Sequence, residues 1–369
     1  MIADRAWARL NLAVLGALVL GVIGCAVGAA IDVTGFFRAW LCTFLFWLGV
    51  PLAGVTLVLV HDLSGGDWMA TARPVLNAAI ATMPIASLAG IPAFIGLHEL
   101  YSWTHPAPSL GNIFYLNPDA FLLRYAVYIV LWNLLAAFAL WGPRQEGEPI
   151  APALSWLSGV GLILLAFSAA FASIDWILSL EPAFWSSIFP MIAGSGWFST
   201  GLALVLLAVA VNPVSGGRNR EQMADLAAVL LATTIFWAYV DFMQFLIIWE
   251  ENLKSEIPWY LIRIASPWAG ALFVSVGFGF FVPFFALLTH PGKRSRGVVA
   301  TVCALMLISR LADKWWLVLP EFRQAGPFWL DAAAILALGG LMLLPFLWGL
   351  SYPGAVSLGA IHSWKIHHG

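Results

Sequence analysis

The chain has 369 residues, 62% of them hydrophobic and 10% charged, with a formal net charge of −2 and a mean hydropathy of +0.90. That is the composition of an integral membrane protein, and without a basic tract it argues against a nucleic-acid partner. Cys25, Cys42 and Cys303 fall inside apolar runs with no CxxC or CxxCH spacing, which argues against c-type haem, iron–sulfur clusters and structural zinc.

A bilayer core takes about 20 apolar residues per helix. The N-terminus, MIADRAWARL, is basic, lacks a small-residue cleavage site and leads into an apolar run, so it reads as the approach to an uncleaved first span at 10–31. Gly24 and Gly28 in that span form a small-xxx-small face suited to close helix packing. Further spans follow at 39–60, 76–97, 121–141, 154–180, 188–211, 226–249, 268–288, 297–319 and 330–350, giving ten. Pro51, Pro84, Pro92, Pro283 and Pro345 lie inside spans and should kink them. The connections are short, so residues 1–369 form a single polytopic membrane domain of all-α class. With the N-terminus in the cytoplasm, ten of the 17 Lys and Arg fall on that side and seven on the other, and two of the seven, Arg310 and Lys314, lie within span nine. The positive-inside rule therefore favours both termini in the cytoplasm.

A faint internal repeat is visible. Span five ends in SIDWILSLEPAFW and span nine in RLADKWWLVLPEF, each with an acid, then Trp, then a Pro/Glu pair. Spans three and seven both end in acid-plus-aromatic clusters, HELYSW and EENLKSEIPWY. The offset of four spans predicts two parallel four-helix bundles, spans two to five (39–180) and six to nine (188–319), flanked by spans one and ten.

In this topology the odd spans end outside, and the intramembrane charges gather at those ends. Asp241 precedes Trp249 by eight residues, about 12 Å in from the end of its helix, and Arg310 lies at a similar depth. Asp175, Asp313 and Lys314 form a shallower layer, and His98, Glu99, Glu181, Glu250 and Glu251 form a mouth. Ionisable groups at membrane depth are costly and commonly functional, so the set reads as a polar cavity opening outward: a proton half-channel, or the polar end of a quinone-type pocket. The structural alternatives are that Arg310 neutralises Asp313 three residues on, or pairs with Asp241 across the helix interface. For the mouth residues an ordinary solvated interface is the simpler reading. The cytoplasmic half offers few polar links, so a half-channel is the stronger reading than a continuous wire.

None of the seven histidines lies mid-span, whereas bis-histidyl haem needs facing histidines inside a bundle. The chain therefore carries no redox centre or metal site of its own that its sequence reveals, and the terminal HSWKIHH reads as a polar tail. Walker loops, GxSxG elbows and HExxH are absent from the sequence. The tryptophans Trp68, Trp103, Trp185, Trp249, Trp259, Trp268, Trp315, Trp316 and Trp329 read as interfacial belts.

Four segments carry a family resemblance: FRAWLCTFLFWLGVPLAGVTLVLVHDLSGGDW (37–68), IDWILSLEPAFWSSIF (174–189), WAYVDFMQFLIIWEENLKSEIPWYL (237–261) and RLADKWWLVLP (310–320). They resemble the second of the two NrfD-type, quinone-binding membrane subunits of bacterial alternative complex III, a quinol:cytochrome c oxidoreductase. The resemblance implies ten helices in two four-helix bundles and a place in a bacterial cytoplasmic membrane. It also implies a sister NrfD-type subunit, an iron–sulfur subunit, multihaem and monohaem cytochrome c subunits and a terminal oxidase as partners, with membrane lipid around them. It implies a chain with no cofactor bound directly, with quinone, quinol or lipid as candidate ligands and proton conduction as a candidate role. Asp175, Glu181 and Asp313 lie within the family-like strings and carry over. Asp241, where the family pattern is small or apolar, and the Glu250–Glu251 pair depart from it. Two other classes compete: a stand-alone secondary transporter or proton-linked channel, and a membrane enzyme using the external acids as acid/base groups.

Overall fold

The structure is a computed structural model that describes residues 2–105, 114–141, 152–211, 217–322 and 328–352, with side chains described outside 2–6 and 217–218. Among these residues the regular structure is helical, and nine helices are long and apolar enough to cross a membrane. They are α1 (Ile2–Ile31), α2 (Val33–Ser64), α3 (Ala70–Ile95), α4 (Pro118–Leu140), α5 (Pro152–Trp176), α6 (Phe189–Val211), α7 (Gly217–Glu251), α8 (Ala269–Leu288) and, after the helix introduced next, α10 (Phe328–Ser351). The intervening α9 (Arg296–Val318) has the length of a span and carries Arg310, Asp313 and Lys314 in its second half. The chain is thus an all-α, multi-pass membrane protein.

Local chemistry sets the helix limits. Asp32 alone separates α1 from α2, its carboxylate accepting from the Gly35 backbone N–H at 2.9 Å. Asn117 caps α4 in the same way at 2.8 Å, with Pro118 in the first turn, where its missing N–H costs nothing. Prolines act unequally. α2 runs helical through Pro51 and α10 through Pro345. The third span is broken into Arg73–Ile80, Met83–Ala89 and Ile91–Ile95, with Pro84 and Pro92 in first turns after the breaks. In α8 a π-helical turn at Gly277–Phe281 precedes Pro283. A π turn widens a helix by one residue and re-aims its side chains.

Two helices form the centre: α2 and α6 are the most enclosed spans and pack against each other. α2 also contacts α3, α4 and α5, while α6 contacts α7 and α9, and α8 lies against α7 and α9. α10 leans on α2 and α3, and α1 packs outermost against α10. That last contact is backbone-close: a Cβ added at Gly21, Gly24 or Gly28 would strike Ala337, Ala333 or Leu330. In a bilayer, where apolar burial gives no drive between helices, such close approach is what holds them. Away from the face that carries Val14, Gly21, Cys25 and Gly28, the described side chains of α1 are largely exposed, as those of a lipid-facing helix are. The three cysteines are buried and free. Trp103, Trp259, Trp268 and Trp316 are also buried within the bundle, whereas Trp185, Trp249 and Trp329 are exposed. HSWKIHH, Arg144, Arg323 and Lys365 lie outside the described residues.

Candidate functional site

The candidate residues fall into separate groups among the described residues rather than around one outward opening. The reason is electrostatic. A charge in a low-dielectric bundle is stabilised by a close partner, and Asp175, Arg310, Asp313 and Lys314 are buried against such partners instead of lining a void.

The first group sits at the end of α5. Asp175 is fully buried, and its carboxylate takes a two-pronged contact from Arg124 on α4, Nε and Nη2 each at 2.9 Å. Tyr128, one turn after Arg124 and on the same face, donates its hydroxyl at 2.7 Å. Arg124 donates a further bond to the Tyr115 carbonyl at 3.0 Å and lies over the Tyr115 ring at 4.0 Å. Ser179 donates to the Asp175 carbonyl and closes the helix end. Trp176 plugs the space beneath, against Phe44 of α2.

The second group is on α9, where Arg310, Asp313 and Lys314 share one face at three- and four-residue spacing and are all buried. Lys314 Nζ donates to Asp313 Oδ2 at 3.0 Å. Gly196 of α6 makes room for both, since a Cβ there would lie 3.3 Å from Nζ and 3.6 Å from Oδ2. The Arg310 guanidinium lies 3.9 Å over the ring of Trp237 on α7 and donates to Ser309 at 3.2 Å. Its Nε and Nη1 have no hydrogen-bond partner among the described residues. Ser309 in turn donates to the Ser275 carbonyl of α8 at 2.9 Å. Gly279, inside the π turn, is the seat for this arginine, because any side chain there would overlap the guanidinium and the Ser309 hydroxyl. Neither expected pairing of Arg310 is present: it makes no ion pair with Asp313 or Asp241 among the described residues, and the aromatic face of Trp237 holds it instead.

Asp241 faces a cavity beside this second group. It lies one turn after Trp237 and lines a cavity of about 510 Å³ between α7 and α8, with Tyr260 and Trp316 among the walls. The carboxylate accepts no hydrogen bond and makes no ion pair among the described residues. Tyr239, Phe242, Ile264 and Phe281 line the same cavity and are at least half exposed, so it is reached from the flank of the bundle.

The mouth residues are dispersed. Glu99 accepts from Thr34 at 2.6 Å, and the His98 and His105 rings stack at 6.1 Å. Glu250 and Glu251 are exposed at the end of α7. Among the described residues Glu181 accepts only a long backbone bond, at 3.4 Å from Ala183. Below them a clamp joins the helix ends. After the left-handed turn at Asn252 the chain forms the short helix Ile257–Ala265, whose Trp259 stacks on Phe184 at 4.9 Å. Arg263 lies 3.5 Å over Trp259, donates to the Leu317 carbonyl at 2.9 Å and meets Glu321 at 2.5 Å. Burial pushes the Arg263 guanidinium down to about 10, and Glu321 works the other way.

Sequence reading treated Arg38, Arg124 and Arg263 only as loop charges, yet Arg38 and Arg263 are buried and Arg124 is half-buried. The RYAVY spacing of Arg124 and Tyr128 is the signal that could have flagged the Asp175 site. Asp331, early in α10, is another buried acid that sequence reading passed over, with neither carboxylate oxygen hydrogen-bonded among the described residues. No group of three or more His, Cys, Asp or Glu among the described residues could hold a metal ion. Comparison of the chain with models of known protein families and with curated proteins finds no match.

Proposed function

We propose that this chain is a cofactor-free membrane subunit of a respiratory quinol:electron-acceptor oxidoreductase of the alternative complex III type. In that reading it scaffolds the complex in a bacterial cytoplasmic membrane, with both termini in the cytoplasm. The sister NrfD-type subunit, the iron–sulfur subunit and the cytochromes bring the redox groups. The observation that carries the reading is the convergence of the four family-like segments. Asp175 from 174–189 and Asp313 from 310–320 each sit at the end of a span in a buried cation pair, with Arg124 and Lys314. Around them Phe44 meets Trp176, Cys42 lies 3.9 Å from the Lys314 carbonyl, and Phe184 meets Trp259. The matching sites on α5 and α9 also suit a repeat of 39–180 by 188–319.

A buried carboxylate held by a cation can take up and release a proton as its partner moves, so each pair is a candidate station on a proton path. The test is proton release per quinol oxidised by the assembled complex in vesicles. Asp175→Asn and Asp313→Asn should lower it while assembly stays normal. An unchanged ratio in assembled variants would leave both acids structural.

A further inference from the structure

The α7–α8 cavity is not accounted for by the paired acids. Its volume of about 510 Å³ falls within the usual range for small-molecule sites, roughly 300–1,000 Å³. Its walls are mostly aromatic and aliphatic, and two of their polar groups bear on a ligand. One is the Asp241 carboxylate, which has no donor among the described residues. The other is the Tyr260 hydroxyl, which accepts from Gln244 Nε2 at 3.3 Å and so keeps its own proton to donate. An acceptor and a donor set in an apolar pocket at membrane depth, open to the flank, are complementary to a head group that can both donate and accept.

Charge narrows the class. The charges bearing on Asp241 are Asp313 and Arg310, and Asp313 is held by Lys314. A charged head would have to leave water for an apolar site, which is costly, so a neutral one is the simpler occupant. A hydrocarbon tail alone would leave the carboxylate without a donor.

We propose that this cavity binds a neutral amphiphile with a hydroxyl-bearing head, the hydroxyl donating to Asp241 and accepting from Tyr260, the apolar body lying among Phe242, Phe280 and Phe281. It rests on the reading above only in that a quinol ring is one source of this chemistry. A lipid alcohol is the other. The site is independent of whether protons pass the paired acids.

The full-length chain in nanodiscs, alone or with whatever subunits co-purify, is titrated with three probes by isothermal calorimetry. They are a short-chain benzoquinol under reducing conditions, its dimethyl ether, and a monoalkyl glycerol. At least one hydroxyl probe should bind, and the one that does identifies the source. If the quinol binds, its ether should bind about tenfold or more weaker, the loss expected for a hydrogen bond to a charged group. Asp241→Leu should weaken the hydroxyl probe about tenfold, and Tyr260→Phe about three- to tenfold, with thermal midpoints confirming a folded protein. Asp241→Asn keeps an acceptor and should fall between wild type and Asp241→Leu. Binding of neither hydroxyl probe, ether binding equal to that of a bound quinol, or full affinity in folded Asp241→Leu would overturn the proposal.

Discussion

Asp175→Asn tests how the end of α5 is held. The substitution keeps the shape of the side chain and removes its charge. In the wild type the carboxylate receives two guanidinium bonds at 2.9 Å and one phenol bond at 2.7 Å. Hydrogen bonds to charged groups contribute about 1.5–3 kcal/mol each. Asparagine offers one acceptor oxygen and sets its NH₂ against a cation or a hydroxyl, so at least one of the three bonds is lost and a donor–donor contact replaces it. Breaking a fully buried pair from one side costs roughly 3–5 kcal/mol. Here Arg124 retains 20% exposure and its stack on Tyr115, so it can turn partly to water. The expected loss is therefore about 2–4 kcal/mol. Tyr128→Phe removes a single interhelical bond and should cost about 1 kcal/mol, in line with such bonds in membranes. Adding Arg124→Gln to Asp175→Asn should return about 1–2 kcal/mol relative to additivity, because the stranded cation is gone. The assay is reversible unfolding in mixed detergent and SDS micelles, followed by circular dichroism. A loss in Asp175→Asn no larger than in Tyr128→Phe, or strict additivity in the cycle, would show that the Arg124–Asp175 pair does not hold this helix end.

Gly279→Ala should cost about 1–3 kcal/mol, because the new methyl overlaps Arg310 and Ser309, whereas Gly270→Ala meets open space and should be neutral or slightly stabilising. Equal thermal midpoints for the two would mean that Arg310 is not seated at the π turn. Gly21→Ala should likewise lift α1 from the Ala337 backbone and hasten proteolysis of the α1–α2 junction, while Gly16→Ala, with nothing within 4 Å, serves as its control. Glu321→Gln leaves Arg263 charged and buried, so it should cost about 3–5 kcal/mol by the same unfolding assay, and adding Arg263→Met should recover part of that. No recovery in the double variant would place the stability of that corner in the Phe184–Trp259 stack instead.

The architecture was largely legible because nine of the expected spans are long apolar helices, and most of their ends moved by a few residues. The exceptions have local causes. The third span breaks where Pro84 and Pro92 open new helical turns, and α7 extends well past its apolar run because Glu221 and its neighbours continue the helix beyond the apolar core. The site was legible as a set of residue types but not as a geometry. Asp175 was recognisable from its string, while its partners Arg124 and Tyr128 lie about 50 residues away and only folding brings them together. The pairing of Arg310 could not be read because it depends on one glycine, Gly279, and on a π turn that leaves no periodicity signal. Asp241 was singled out from the sequence as an acid in an apolar helix. Its place in a flank cavity follows from the gap between α7 and α8, which no single segment encodes.

Membership of a quinol-oxidising assembly is tested by purifying the chain from native membranes in mild detergent, with mass spectrometry and a reduced-minus-oxidised haem spectrum. The expected outcome is co-purification with multihaem and monohaem cytochrome, iron–sulfur and sister NrfD-type subunits, in a coloured complex. A colourless homo-oligomer, free of those partners in detergents that preserve other respiratory complexes from the same membranes, would rule that membership out.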